Sequence, residues 1–167
     1  MSAADPGAPG AGAMASAADR GWLARAIDLS RCSPPSQTAY AVGAIIVAAD
    51  GAVLAIGHSR ETSPFDHAEE VALAKLGPAA RARPPGLGAA TLYSSLEPCR
   101  FRASRPRPCA ELIIEAGLRR VVIAWLEPPV LAAGGGAAML REAGVTVVEI
   151  PGLAAEARAV NAAVLGE

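Results

Sequence analysis

The order in which short β-rich runs and helical runs follow one another is the feature that most restricts the fold of this chain. Residues 42–48 and 52–56 are rich in Val, Ile and Ala, and Asp50-Gly51 between them is a strong signal for a hairpin turn. Three further β-rich runs alternate with helical patterns, at 90–96, 120–125 and 145–150. A hairpin followed by such alternation predicts the α/β class, with a three-layer α/β/α sandwich around a mixed central sheet of about five strands.

The helical runs have recognisable starts and stops. The first, from Trp22 to Leu29, should end before Ser33-Pro34-Pro35. The second should be capped by Asp66 and ended by Gly77-Pro78. The remaining helices are predicted at 110–116, 137–143 and 153–165.

Length and composition limit the other possibilities. A chain of 167 residues favours one domain, and 52% hydrophobic residues exclude disorder of the whole chain. We expect residues 1–15, which are rich in Ala, Gly and Pro, to form a disordered tail and residues 16–167 to form a single domain; Met14 is an alternative start. The formal net charge of −1 argues against a nucleic-acid partner. No apolar run reaches the roughly 18 residues of a membrane span, so no membrane partner is expected.

The cysteine count bears on the compartment. Three cysteines, an odd number, in a chain without a recognisable export signal fit the reducing cytoplasm. In a reducing compartment, two cysteines with a nearby histidine are more often metal ligands than partners in a disulfide. Cys32 has no partner nearby in the sequence, and we expect it to be a buried, unpaired thiol.

Three short segments carry the candidate chemistry: His67-Ala68-Glu69, Glu97-Pro98-Cys99 and Pro108-Cys109. One imidazole and two thiolates are a common ligand set for Zn²⁺, and three protein ligands leave a fourth position for water. Since His67 and Cys99 each lie where a helix could begin, we expect helix dipoles to favour the ionised ligands. Glu69 stands two residues after a ligand, where a carboxylate can move a proton between water and substrate. The sequence therefore predicts one zinc ion per chain, with Glu69 as the catalytic group.

These segments resemble the zinc-dependent cytidine-deaminase-like superfamily, whose signature is H-x-E followed by P-C-x-x-C, although nine residues and not two separate the cysteines here. The nine residues between Cys99 and Cys109 are most similar to the deaminase domain of the bifunctional riboflavin-biosynthesis deaminase/reductase. The resemblance runs from about residue 18 to 165 and includes Ala41-Val42-Gly43-Ala44, Ser95-Leu96-Glu97-Pro98-Cys99, Arg107-Pro108-Cys109 and Leu140-Arg141-Glu142-Ala143-Gly144-Val145. It implies a hydrolytic deaminase that releases ammonia from an aminopyrimidine or related amino-heterocycle, with the riboflavin-pathway diaminohydroxyphosphoribosylaminopyrimidine as the expected substrate. It also implies a homodimer or larger homo-oligomer.

The departures from that family concern the substrate and not the metal ligands. The riboflavin enzymes typically carry P-N-P before V-G, His or aromatic residues after the first Cys, and D-P-N-P after the fourth strand. This chain has Ser36-Gln37-Thr38-Ala39-Tyr40, Arg100-Phe101-Arg102 and Glu127-Pro128-Pro129 at these places.

The candidate substrate-binding residues are His58, Ala68, Ser95, Phe101 and Arg105. His58 ends the second strand and is either a surface side chain or a substrate contact. Phe101 either stacks on a pyrimidine or anchors its loop to the core. Arg105 is one of four arginines in the inter-cysteine loop (residues 100–108), which is either solvated or a clamp for a phosphate or other anionic substituent.

Two further functions stay open at this stage. One is a cytidine- or deoxycytidylate-like nucleoside or nucleotide deaminase. The other, of a different class, is a non-catalytic binding module stabilised by zinc. Glu69 disfavours the binding module, because a structural zinc site needs no acid–base group and closes its fourth position with a protein ligand.

Overall fold

The computed structural model describes residues 14–82, 86–131 and 134–167, which are built around one mixed β-sheet. The strands are β1 (Gly43–Val47), β2 (Val53–His58), β3 (Thr91–Ser94), β4 (Arg120–Ile123) and β5 (Thr146–Glu149), in the spatial order β2-β1-β3-β4-β5. Strand β1 runs antiparallel to β2 and β3, whereas β3, β4 and β5 are parallel. The predicted α/β class and mixed five-stranded sheet are confirmed.

The predicted helices are present in order with shifted ends, and a short helix at Pro78–Arg81 stands where a loop was expected. The helices are α1 (Ala17–Ser30), α2 (Ala68–Lys75), α3 (Pro78–Arg81), α4 (Cys109–Glu115), α5 (Gly136–Glu142), α6 (Ala154–Val160) and α7 (Ala162–Leu165). The single C-terminal helix predicted at 153–165 is divided in two at Asn161. The Asn161 side chain forms hydrogen bonds with the backbone of Ala41 and Ala157. The bonds to Ala41 join the C-terminal helices to the segment just before β1.

The start of α2 also differs from the prediction. His67, and not Asp66, occupies the N-cap position. The Asp66 carboxylate instead accepts hydrogen bonds from the Thr62 amide and hydroxyl at 2.9 and 2.8 Å and from the Ser63 amide at 2.7 Å. Asp66 therefore closes the loop before the helix and leaves His67 at the helix start.

Two glycines allow helices to lie closely on opposite faces of the sheet. Gly43 and Ala44 are neighbours in β1 and so point to opposite faces, and Gly57 pairs with Ala44 across the antiparallel ladder. A Cβ at Gly43 would overlap the Ala26 carbonyl of α1, and a Cβ at Gly57 would overlap the backbone of α2. Helix α1 therefore covers one face and α2 the other, which gives the three layers.

Cys32 is exposed, which corrects the expectation of a buried thiol. The buried positions of α1 are Asp19, Leu23, Ala26, Ile27 and Ser30. Cys32 lies in the turn beyond the helix, where its amide bonds the Leu29 carbonyl at 3.0 Å, and it is off the face that packs on the sheet.

The disordered tail predicted at residues 1–15 falls mostly on residues 1–13, which lie outside the described residues. The described chain becomes helical at α1, whose N-terminus is capped by the Ser16 side chain. No helix in the described ranges is long and apolar enough to span a bilayer.

A buried ion pair fastens α1 to the sheet. Asp19, which is 3% exposed, accepts hydrogen bonds from both terminal nitrogens of Arg120 in β4, at 2.8 and 2.9 Å. The Tyr93 hydroxyl of β3 donates to the same carboxylate at 2.9 Å. The Arg120 guanidinium outweighs the effect of burial and holds the pKa of Asp19 well below its usual range.

Asp19→Asn should lower the free energy of unfolding by about 2–3 kcal/mol, since hydrogen bonds to charged groups contribute about 1.5–3 kcal/mol each. The matched control is Asp28→Asn, which removes the exposed Asp28–Arg31 pair of the same helix and should cost less than about 0.5 kcal/mol. Urea denaturation at pH 7 measures both. Equal effects would contradict the assignment of Asp19 as the anchor of α1.

The same pair makes stability depend on pH. The folded-state pKa of Asp19 is lowered, so its contribution is present above the unfolded value of about 3.9 and is lost as the pH falls below it. Denaturation midpoints measured between pH 7 and pH 3 should therefore fall less steeply for Asp19→Asn than for the wild type.

Candidate metal centre and its cavity

The predicted ligand atoms lie together at one end of the sheet. His67 Nδ1 is 3.5 Å from the Sγ of Cys99 and 3.5 Å from the Sγ of Cys109, and all three atoms lie within 4.8 Å of one another. Tetrahedral zinc with ordinary bond lengths places a nitrogen and a sulfur ligand roughly 3.6 Å apart. The nitrogen–sulfur distances and the donor set therefore fit a zinc ion with three protein ligands.

Each ligand is carried by a different element. His67 precedes the first turn of α2, Cys109 is the first residue of α4, and Cys99 follows β3 in a turn. The helix start expected at Cys99 is thus found at Cys109. Pro108 occupies the N-cap position of α4. The Ala110 amide, in the first turn of that helix, donates a hydrogen bond to the Cys99 carbonyl at 3.1 Å.

The two thiols share their protons unequally. The Cys109 thiol donates towards Cys99, the Cys109 amide lies 3.3 Å from Cys99 Sγ, and His67 adds a further hydrogen bond. These contacts lower the pKa of Cys99, and the same pairing together with burial raises the pKa of Cys109. A metal cation held by His67, Cys99 and Cys109 would take the place of the shared proton and favour both thiolates.

Glu69 is held beside the ligands by a residue that the sequence pattern did not single out. The carboxylate is 3% exposed, and its Oε1 accepts a hydrogen bond from the Ser94 hydroxyl at 2.7 Å. Burial raises the pKa of Glu69 above its ordinary value. Ser94 is the last residue of β3. The sequence signal that could have found it is a hydroxyl residue at the end of a buried strand, shortly before the ligand Cys99.

A cavity of about 420 Å³ opens beside these groups. His67, Glu69 and Cys99 lie in its wall, with residues 38–40, 64–66 and 101–104 and with Glu127. Cavities of roughly 300–1,000 Å³ hold small organic ligands in proteins. His67, Cys99 and Glu69 therefore face a space that can hold a molecule of nucleobase size.

The candidate substrate-binding residues do not all line this cavity. Phe101 does and is 75% exposed. His58 lies outside the wall, with its Nε2 3.8 Å from Glu61. The Ser95 hydroxyl accepts a hydrogen bond from the Gly43 amide at 3.1 Å, and Ala68 is fully buried against β2, so both also lie outside the wall.

Three of the four arginines in the inter-cysteine loop pair with carboxylates. Arg102 and Arg105 contact acidic residues at the start of α2, and Arg107 pairs with Glu111 and Glu115 of α4. Arg105, a candidate for substrate binding, is therefore engaged by Asp66 and Glu70 in this structure.

Two more carboxylates lie close to the metal ligands. Glu97 accepts hydrogen bonds from the amides of Glu127 and Ala137 at 2.8 and 2.7 Å, so it joins the turn after β4 to the start of α5. Burial, with the nearby Cys99 and Glu97, raises the pKa of Glu127 to about 7. The sequence placed Glu127 only as a departure from the riboflavin pattern, whereas the structure places it in the cavity wall.

Comparison with known protein families also indicates a zinc-binding site in this part of the chain. A family model described as the cytidine and deoxycytidylate deaminase zinc-binding region matches residues 16–125. The chain is 33% identical over 128 residues to the diaminohydroxyphosphoribosylamino-pyrimidine deaminase of Schizosaccharomyces pombe, covering 77% of this chain and 31% of the relative. It is 35% identical over 133 residues to the riboflavin biosynthesis protein RibD of Aquifex aeolicus, covering 77% of this chain and 34% of the relative. The chain thus spans about a third of the length of these relatives.

Solved structures give the same result for the fold. RibD of Acinetobacter baumannii matches 89% of this chain and 39% of its own, with a TM-score of 0.72 and 31% identity. The Rib2 deaminase of Aspergillus oryzae matches 89% of this chain and 92% of its own, with a TM-score of 0.74 and 27% identity.

Cys99→Ser and Cys109→Ser should each lose most of the bound zinc, while the wild type should retain about one ion per chain, because metal affinity depends on the thiolate ligands. The matched control is Cys32→Ser, since Cys32 is exposed and outside the ligand cluster. Elemental analysis after dialysis measures all four proteins. A Cys32→Ser protein that lost zinc equally, or a wild type without transition metal, would contradict the site.

Proposed function

The chain belongs to the cytidine and deoxycytidylate deaminase zinc-binding family, and on this premise we propose that it is a hydrolytic deaminase of an aminopyrimidine. One observation carries the proposal: a buried carboxylate, Glu69, is held by Ser94 beside three convergent metal ligands and lines a cavity of nucleobase size. A structural zinc site needs neither a buried acid–base group nor a cavity beside the ligands, so this arrangement argues against the non-catalytic binding module.

The residues of this chain suit the proton transfers of such a reaction. Zinc in this site supplies a Lewis acid that makes a water molecule nucleophilic at neutral pH. Glu69 takes one proton from the attacking water and delivers it to a ring nitrogen, and it then carries the second proton to the departing amine. The C–O bond forms first, as the ring nitrogen takes its proton, and the C–N bond then breaks as the amine takes the second; the products are the oxo-pyrimidine and ammonia.

The surroundings of Glu69 favour this role. Burial raises the pKa of Glu69 above its ordinary value, which helps a carboxylate both to accept and to return a proton. Ser94 donates to Oε1, so Oε2 is the oxygen that we assign to the proton transfers.

The relatives suggest the substrate class. The fission-yeast relative is named for diaminohydroxyphosphoribosylaminopyrimidine, and we propose an aminopyrimidine of this riboflavin-pathway kind. Phe101, exposed in the cavity wall, is the side chain that we expect to stack on the ring. The family model also names cytidine and deoxycytidylate deaminases, so a nucleoside or nucleotide is the second candidate. Ammonia release from cytidine, deoxycytidylate and the riboflavin-pathway pyrimidine distinguishes them.

We also propose a cytoplasmic location and a homodimeric assembly. All three cysteines are free, and two of them form the ligand set, which suits a reducing compartment. The proposal of a homodimer rests on the family resemblance, and light scattering of the purified protein tests it.

Glu69→Gln should keep zinc and fold but lose deamination by at least about 10²–10⁴-fold, the usual contribution of general acid–base catalysis. Steady-state ammonia release, with zinc content measured on the same samples, checks it. A variant that turned over the substrate at the wild-type rate would show that Glu69 is not the proton carrier.

Ser94→Ala should lower kcat by about tenfold with little change in zinc content, because it removes one hydrogen bond of about 1.5 kcal/mol from the Glu69 carboxylate. The matched control is Ser95→Ala, whose hydroxyl bonds the Gly43 amide instead. If both variants kept the wild-type kcat, the positioning role of Ser94 would be wrong.

A further inference from the structure

Arginine side chains join the inter-cysteine loop to the segment that carries His67 and Glu69. The Arg102 side chain is 3% exposed; its Nη1 donates to Glu70 Oε2 at 3.0 Å and its Nη2 to the Phe65 carbonyl at 2.6 Å. Arg105 Nη2 donates to Asp66 Oδ1 at 3.2 Å, and its Nε lies 3.4 Å from Glu70 Oε1.

Glu70 is the acidic residue that these two arginines share. Each of its carboxylate oxygens faces a different arginine, so one side chain holds the loop at two points. Glu70 belongs to the first turn of α2, next to Glu69, and is therefore fixed by the helix. It does not line the cavity itself, whereas residues 101–104 of the loop do.

We propose that Glu70 is a positioning residue that holds the inter-cysteine loop in place as a wall of the cavity, by pairing with Arg102 and Arg105. In this arrangement the arginines serve as internal anchors. A phosphate could use Arg105 only after its pairs with Asp66 and Glu70 had been broken. The consequence for substrate binding rests on the proposed function, but the anchoring itself does not.

The metal centre has its own contacts and should survive loosening of the loop. The Cys109 amide lies 3.3 Å from Cys99 Sγ, and the Ala110 amide bonds the Cys99 carbonyl at 3.1 Å. Ser94 holds Glu69 independently. Glu70 Oε2 also accepts a hydrogen bond from the His67 amide at 3.5 Å, and Glu70→Gln keeps an acceptor there. This substitution should therefore weaken substrate binding and leave the chemical step intact.

Trypsin measures the anchoring without any substrate. Of the four arginines in the loop, Arg105 and Arg107 precede proline and resist the protease, so cleavage falls after Arg100 and Arg102. Glu70→Gln should speed cleavage after Arg102 about tenfold, because the loop opens more often. The matched control is Glu111→Gln, which removes the Arg107–Glu111 pair at the other end of the loop and should leave that rate unchanged. A wild-type cleavage rate in folded Glu70→Gln would overturn the proposal.

Kinetics test the consequence for the cavity. The substrate for this test is an aminopyrimidine that the wild type deaminates. Glu70→Gln should raise KM about tenfold, keep kcat within about twofold and retain zinc. This result is expected when the ground state and the transition state lose the same binding energy. A fall in kcat with unchanged KM would overturn the proposal.

Arg105→Gln provides a second variant that should fold, because its side chain is 38% exposed and the Arg102–Glu70 pair remains. It should raise the KM of a phosphorylated pyrimidine and of its dephosphorylated form by the same factor. A rise confined to the phosphorylated form, with normal trypsin resistance, would show an anion clamp and overturn the anchor. A wild type without deaminase activity would contradict the proposed function and leave the trypsin test in force.

Discussion

The approach of His67 Nδ1 to the sulfurs of Cys99 and Cys109 joins three separate segments of the chain. The ligands come from the start of α2, the turn after β3 and the start of α4, so the sheet and both helices must keep their relative positions for the site to exist. Close backbone contacts support this geometry. Gly136 has room only for hydrogen beside the Pro98 carbonyl, and Gly57 lets α2 lie directly on β2. Metal binding therefore depends on the packing of the folded chain.

The acidic side chains around this site differ in role because they differ in partners. Glu69 is buried with a single hydroxyl donor, which leaves an oxygen for proton transfer. Glu97 is occupied by two backbone amides and acts as a structural brace. Glu70 is occupied by two arginines. Glu127 lies in the cavity wall with a pKa raised to about 7, so its charge near neutral pH is sensitive to a bound ligand.

The metal chemistry and the choice of substrate are separable in this molecule. The three ligand atoms converge, and the family model of the zinc-binding region matches residues 16–125 of this chain. The departures from the riboflavin-type sequence at Tyr40, Phe101 and Glu127 all lie in the cavity wall. A loop held by ion pairs, and not by the ladder of a sheet, forms part of that wall. The positions that depart from the riboflavin-type sequence thus lie in the cavity wall and outside the ligand cluster.

The sequence by itself determined the order of strands and helices, the mixed sheet, the ligand set and the position of Glu69. These follow from local patterns, namely apolar periodicity, turn residues and the spacing of His, Glu and Cys. Tertiary structure alone decided the partners of those residues, because they lie far apart in the chain: Ser94 meets Glu69 across 25 positions and Arg105 meets Asp66 across 39. It also turned Asp66 from a helix cap into a loop contact and left Cys32 exposed. Local patterns specify elements and donor types, whereas the partner of a polar side chain depends on which segments the fold brings within hydrogen-bonding distance.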